Sequence, residues 1–151
     1  MSKMYVMIGL PGCGKSTYIA THKQPDDIVV SRDAIRYSML KDTDAYFSKE
    51  KAVYNEFIRQ INAAIETGKA VWVDQTSLNC GSRSKLFSHI ATKPDTVIGV
   101  YFNIPLETVL ARNALRTGRA LVPEDAILNM CFHFEEPQEC EGFDYIVEVE
   151  K

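Results

Sequence analysis

The chain has 151 residues, 46% hydrophobic and 25% charged, which is the balance of a soluble globular protein with one core of ordinary size. No apolar run approaches the ~20 residues of a membrane span, and MSKMYVMIGL lacks the cleavage signature of a signal peptide, so a cytoplasmic protein without membrane contact is expected. The net charge of −3 excludes a surface that grips a long stretch of nucleic acid, which needs a positive excess; any such contact would involve a few phosphates near one point.

Short apolar runs alternate with helical periodicity. KMYVMIG (3–9) reads as a buried strand, and a helix opens over 15–22. DDIVVS (26–31) is a second strand after Pro25. In DAIRYSMLK (33–41), Ile35, Met39 and Leu40 share a helical face. KEKAVYNEFIRQINAAIETG (49–68) is the clearest helix, with Val53, Phe57, Ile61, Ala64 and Ile65 at three-to-four spacing and a stop at Gly68. AVWVD (70–74) is a strand ending in a carboxylate. SRSKLFSHIATK (82–93) predicts a helix, TVIGVYFNI (96–104) a strand, and LETVLARNALR (106–116) a helix with Pro105 in its first turn. TGRALV (117–122) breaks the pattern, Pro123 opens a further helix, and DYIVEVE (144–150) is a last strand. This alternation predicts one α/β domain, a mostly parallel sheet of about five strands with helices on both faces. Cys13, Cys80, Cys131 and Cys140 form no CxxC pair and no zinc-spaced cluster with histidine, so reduced thiols are expected.

Residues 9–17, GLPGCGKST, fit GxxxxGK[ST] between a strand and a helix. Gly9, Gly12 and Gly14, with Pro11 and Cys13, would let backbone N–H groups curl around phosphates. The helix that Thr17 continues adds its dipole. Lys15 would meet the β- and γ-phosphates and Ser16 a Mg²⁺ ion. ATP, or another nucleoside triphosphate, with Mg²⁺ is therefore expected.

The acceptor side is read at the strand ends, where open α/β sheets bind ligands. SRDAIR (31–36) places Asp33 and Arg36 on one helical face. Asp33 suits a helix cap; it also suits a base accepting the proton of an attacking hydroxyl. Arg36, one turn on, could hold a phosphate on the acceptor, whereas the Arg32 side chain should point elsewhere. In VDQTSLN (73–79), Asp74 suits the Mg²⁺ shell opposite Ser16, and Thr76 and Asn79 are either acceptor-side groups or turn chemistry. Arg83 reads as part of a solvated face. RNALRTGR (112–119) carries Arg112, Arg116 and Arg119 around Gly118, an arginine-bearing lid to countercharge a transferring phosphoryl group and exclude water, or a solvated basic face.

In this order the four blocks GLPGCGKST, SRDAIR, DQTSLN and RNALRTGRALVP resemble the phage-type 5′-polynucleotide kinase domain, over roughly residues 4–130. The resemblance implies a P-loop kinase-like fold that transfers the γ-phosphate of ATP to a 5′-hydroxyl nucleic acid end. Lys15 and Ser16 would be its triphosphate and Mg²⁺ residues, Asp33 its general base and Arg36 the holder of the acceptor's 3′-phosphate. Thr76 would be an acceptor-side turn residue and Arg116 the lid arginine, with Arg112 near the nucleotide and Arg119 an alternative to Arg116. No DxDGT motif is present, so 3′-phosphatase activity is not expected, and no obligate protein partner is implied. Three alternatives stay open: a kinase of a hydroxymethylated base in DNA, a small-molecule kinase for a nucleoside or sugar, and a nucleotide-dependent switch acting through a protein contact.

Overall fold

The structure is a computed structural model that describes residues 2–118 and 121–150. The apolar runs form five strands: β1 (Lys3–Ile8), β2 (Ile28–Ser31), β3 (Val71–Asp74), β4 (Thr96–Asn103) and β5 (Tyr145–Glu150). All pairings are parallel, and the order across the sheet is β2-β3-β1-β4-β5. Parallel neighbours need crossovers, and the helical segments supply them: α1 (Lys15–His22), α2 (Arg32–Met39), α3 (Glu50–Glu66), α4 (Cys80–Ser88), α5 (Leu106–Ala114) and α6 (Glu124–Phe132).

Successive side chains of a strand face opposite ways, so each strand feeds two cores. On one face Met4, Val6 and Ile8 of β1 meet Val53, Phe57, Ile61 and Ile65 of α3 and Leu86 of α4. All five apolar positions of the α3 periodicity are buried. On the other face Met7, Trp72, Ile98, Val100 and Phe102 meet Ile19 of α1, Val109 of α5 and Ile127 of α6. The α/β sheet covered on both faces is thus the architecture found.

Element ends differ from the periodicity where side-chain hydrogen bonds intervene. Asn79 caps α4 through Oδ1, which accepts from the Ser82 N–H at 2.8 Å, so the helix begins at Cys80 rather than Ser82. Pro105 and Pro123 each cap the helix they precede instead of entering its first turn. α5 stops at Ala114, short of the predicted 116. The Leu115 and Arg116 N–H groups bond back to Arg112 and Asn113 in a tightened turn. The buried Asn113 amide then ties that turn to Val122, donating to its carbonyl at 2.6 Å and accepting from its N–H at 3.0 Å.

Arg83 corrects the reading of a solvated face. It is fully buried, and its guanidinium donates to Glu141 at 2.7 Å and to the carbonyls of Ser77 at 2.7 Å and Glu135 at 2.8 Å. The pattern around Arg83 could not reveal this, because Glu135 and Glu141 lie 52 and 58 residues away. Burial pushes the Glu141 carboxyl up, but the hydrogen bonds from Arg83 and the Gln138 N–H outweigh it and hold the acid below its ordinary range. Among the described residues no helix is long and apolar enough to cross a membrane.

Replacing Arg83 by alanine strands Glu141 and two carbonyls in a low-dielectric site. We expect a loss of about 3–5 kcal/mol, read from the denaturant midpoint at constant slope; a loss below about 0.5 kcal/mol would fit a solvated arginine instead.

Candidate functional site

The loop after β1 is held open by its glycines. Gly12 and Gly14 have φ of 86° and 104°, in the left-handed region that other residues rarely adopt. Gly9 is needed for space: a Cβ there would meet Cys13 Sγ at 2.6 Å and Phe102 Cβ at 2.9 Å. Its N–H donates to the Thr76 carbonyl at 3.0 Å, which fixes the phosphate loop against the turn after β3. Lys15 folds over the loop, with Nζ donating to the carbonyls of Gly9 at 3.0 Å and Leu10 at 2.9 Å. Burial pushes the Cys13 thiol up, with Lys15 pulling weakly the other way, so Cys13 serves as a neutral packing group.

Ser16 opens α1 and donates from Oγ to Asp74 Oδ2 at 3.0 Å, across the β1–β3 crevice. Burial pushes the Asp74 carboxyl up, Lys15 and the Ser16 hydroxyl pull it down, and Asp33 adds to the rise. Two hard oxygens converging beside the phosphate loop suit Mg²⁺, which takes one or two protein oxygens and fills its octahedron with water and phosphate. Ser16 and Asp74 therefore fit the metal role expected of them.

The acceptor side is built around a carboxylate the sequence reading missed. Glu50, first residue of α3, accepts from Arg36 Nε at 3.0 Å and from both Arg36 and Arg32 through their terminal nitrogens. Arg36 also donates to Asp33 Oδ1 and, at 3.1 Å, to the Tyr46 hydroxyl, which itself donates to Asp33 Oδ1 at 3.0 Å. Ser31 supplies the cap of α2, accepting from the Ala34 N–H, so Asp33 is not consumed as a cap. Its side chain is 62% exposed, and Oδ2 takes no hydrogen bond among the described residues. One oxygen is oriented and the other is left open on an exposed side chain.

This arrangement revises three expectations. Arg36 is buried and every nitrogen of its guanidinium is engaged by Glu50, Asp33 or Tyr46, so its geometry is that of a residue orienting Asp33 rather than of an open phosphate clamp. Arg32 does not point elsewhere: it turns inward to Glu50 and to Gln75 Oε1 at 2.9 Å. Asn79 spends its side-chain oxygen on the α4 cap, whereas Thr76 gives only its backbone carbonyl, to Gly9, which leaves its side-chain role as expected from sequence untouched.

On the lid side, Arg112 Nη1 donates to the Cys13 carbonyl at 3.0 Å, bringing α5 against the phosphate loop. Arg116 lies beyond the end of α5, so it does not share a helical face with Arg112. Arg119 lies outside the described residues. Pro11 and Thr17 sit in the loop and first turn of α1 as expected.

We expect Gly9→Ala to weaken ATP binding at least roughly tenfold by titration calorimetry, because the new Cβ displaces the loop. A Cys13→Ala change in the same chain removes one of the two clashes and leaves that with Phe102 Cβ, so recovery should be partial.

The family whose description is an AAA domain, AAA_33, matches residues 4–137. An L-seryl-tRNA(Sec) kinase of Methanococcus maripaludis is 32% identical over 146 residues, covering 89% of this chain and 53% of that protein. A protein carrying the name bifunctional polynucleotide kinase/RNA ligase, from Autographa californica nuclear polyhedrosis virus, is 27% identical over 162 residues, covering 97% of this chain and 22% of its own length. The chain thus spans about half of the first relative and about a fifth of the second. A sugar kinase structure from Janibacter sp. HTCC2649 shares the fold, with a TM-score of 0.68 at 15% identity, over 99% of this chain and 86% of that one. With a matched family model over most of its length, an all-parallel sheet and a phosphate loop at the β1–β3 crevice, the chain has the P-loop kinase fold and belongs to the AAA_33 family, described as an AAA domain.

Proposed function

We propose that the chain is an ATP-dependent kinase of polynucleotide 5′-hydroxyl ends. The observation that carries the reading is Asp33: an exposed carboxylate clamped through Oδ1 by Arg36 and Tyr46, its Oδ2 without a hydrogen-bond partner among the described residues, and near enough to Asp74 to push that carboxyl up. Such a carboxylate can take the proton of an attacking hydroxyl, and the likeness to proteins named as kinases supports an alcohol as acceptor.

In the reaction, the acceptor hydroxyl donates its hydrogen bond to Asp33 Oδ2. Its oxygen attacks the γ-phosphorus in line, its proton passes to Asp33, and the bond from γ-phosphorus to the β–γ bridging oxygen breaks to release ADP. Lys15 exchanges its carbonyl partners for phosphate oxygens, and Arg112, already on the loop, adds countercharge, with Arg116 following it from the lid. Mg²⁺, held by Ser16 and Asp74 together with the phosphates, would neutralise charge on the β- and γ-oxygens. Arg36 and Glu50 keep the base in place.

A second reading is favoured by the 32% identity to the seryl-tRNA kinase: a hydroxyl carried on tRNA by an esterified serine rather than a 5′ end. Both acceptors are alcohols attached to a nucleic acid, so the same Asp33 would serve.

Transfer from γ-labelled ATP decides between them. We expect label on a 5′-hydroxyl oligonucleotide and a nucleoside 3′-monophosphate, and none on seryl-tRNA or on a hydroxymethyluracil duplex with blocked ends. Label on seryl-tRNA or on the modified duplex alone would replace the 5′-end reading. Asp33→Asn should lower kcat by about 10²–10⁴-fold. Glu50→Gln should lower kcat while leaving KM for ATP within about twofold, since it releases Arg36 without touching the phosphate loop.

A further inference from the structure

We propose that the groove between α3 and α4 holds the single strand of nucleic acid that trails behind the acceptor's terminal nucleotide. The inference rests on the polynucleotide reading above and extends it from the reacting end to the strand.

The groove encloses about 380 Å³ and begins at Arg32 and Glu50, the pair that holds Arg36 and hence Asp33. It follows α3 past Lys51 and Tyr54 to Ile58, a rise of about 12 Å from Glu50, with Lys85 of α4 and His89, the residue that caps that helix, also lining it. Its charge contrasts with that of the chain. Glu50 is spent on two arginines, whereas Lys51 and Lys85 are exposed and take no carboxylate partner among the described residues. Two of the five guanidinium donors of Arg32 remain uncommitted after Glu50 and Gln75. A chain of net charge −3 thus concentrates unpaired cations in one groove leading from the base.

Tyr54 gives the groove its second property. Its ring lies between cations, 4.3 Å from Lys85 Nζ and 5.1 Å from the Arg32 guanidinium carbon, and its hydroxyl faces His89 Nδ1 at 3.5 Å. The cation–π contacts hold the two head groups along the wall instead of leaving them to wave in solvent. Cations held in place along a channel fit a phosphodiester strand, whose phosphates recur. Since Arg36 is buried among Glu50, Asp33 and Tyr46, phosphates behind the acceptor hydroxyl meet Arg32 first, then Lys51 and Lys85.

The test is an acceptor-length series with the full chain: nucleoside 3′-monophosphate, dinucleotide and a short 5′-hydroxyl oligoribonucleotide. Wild type should show KM falling with length. Lys51→Ala/Lys85→Ala should raise KM for the oligomer roughly tenfold, the worth of two exposed ion pairs, while leaving kcat and the constants for the 3′-monophosphate unchanged. Fluorescence anisotropy of the labelled oligomer gives a readout independent of catalysis. The log–log salt slope of binding should flatten by about 1.4 in the double variant, about 0.7 for each lost phosphate contact. Lys85→Glu should weaken binding further. Transfer to every acceptor with no dependence on length or on these lysines would overturn the groove and leave the kinase reading standing. Absence of transfer to any 5′-hydroxyl end would remove the 5′-end reading. Lysine-dependent binding of the oligomer would even then support the groove, and lysine-independent binding would end it. A fall in melting temperature without a change in binding would assign Lys85 to helix packing alone.

Discussion

Every strand of the sheet runs the same way, and this constraint places the chemistry. Parallel pairing delivers the ends of β1, β2 and β3 to one rim, where backbone leaves the ladder and side chains become available. β1 lies between β3 and β4 in the sheet, so its loop opens into a crevice walled by Asp74. The Gly9 N–H to Thr76 carbonyl bond locks the two loops in register. The site therefore follows from topology before any side chain is considered.

On that rim a layered electrostatic arrangement takes over. Glu50 neutralises Arg32 and Arg36 together, and Arg36 in turn steadies Asp33 with help from Tyr46. Removing one member leaves a partly buried charge without compensation, which is costlier than the net worth of the intact set. The same arrangement explains why a residue at the start of α3, distant in sequence from the phosphate loop, belongs to the site.

Much of this was legible in the sequence, and what was not has identifiable causes. The phosphate loop and the α3 stripe were readable because their information is local: glycine spacing in one case, helical periodicity in the other. Asp33 was readable because it follows a strand end. Glu50 was not, because an acidic residue in the first turn of a helix is an ordinary dipole complement and nothing near it signals two arginine partners 14 and 18 residues earlier. Arg83 failed for the same reason in reverse. The ends of α4 and α5 shifted because single amides, Asn79 and Asn113, closed turns that periodicity cannot see.

The position of Lys15 has a consequence for how fast and how tightly nucleotide is taken up. Its ammonium already rests on two loop carbonyls, so the loop is shaped by folding rather than by its ligand. Arriving phosphates exchange one set of oxygens for another and do not have to order a floppy segment. Little conformational entropy is then lost at the moment of binding. Association should approach an encounter-limited step, and differences in affinity among nucleotides should reside mainly in how slowly they leave.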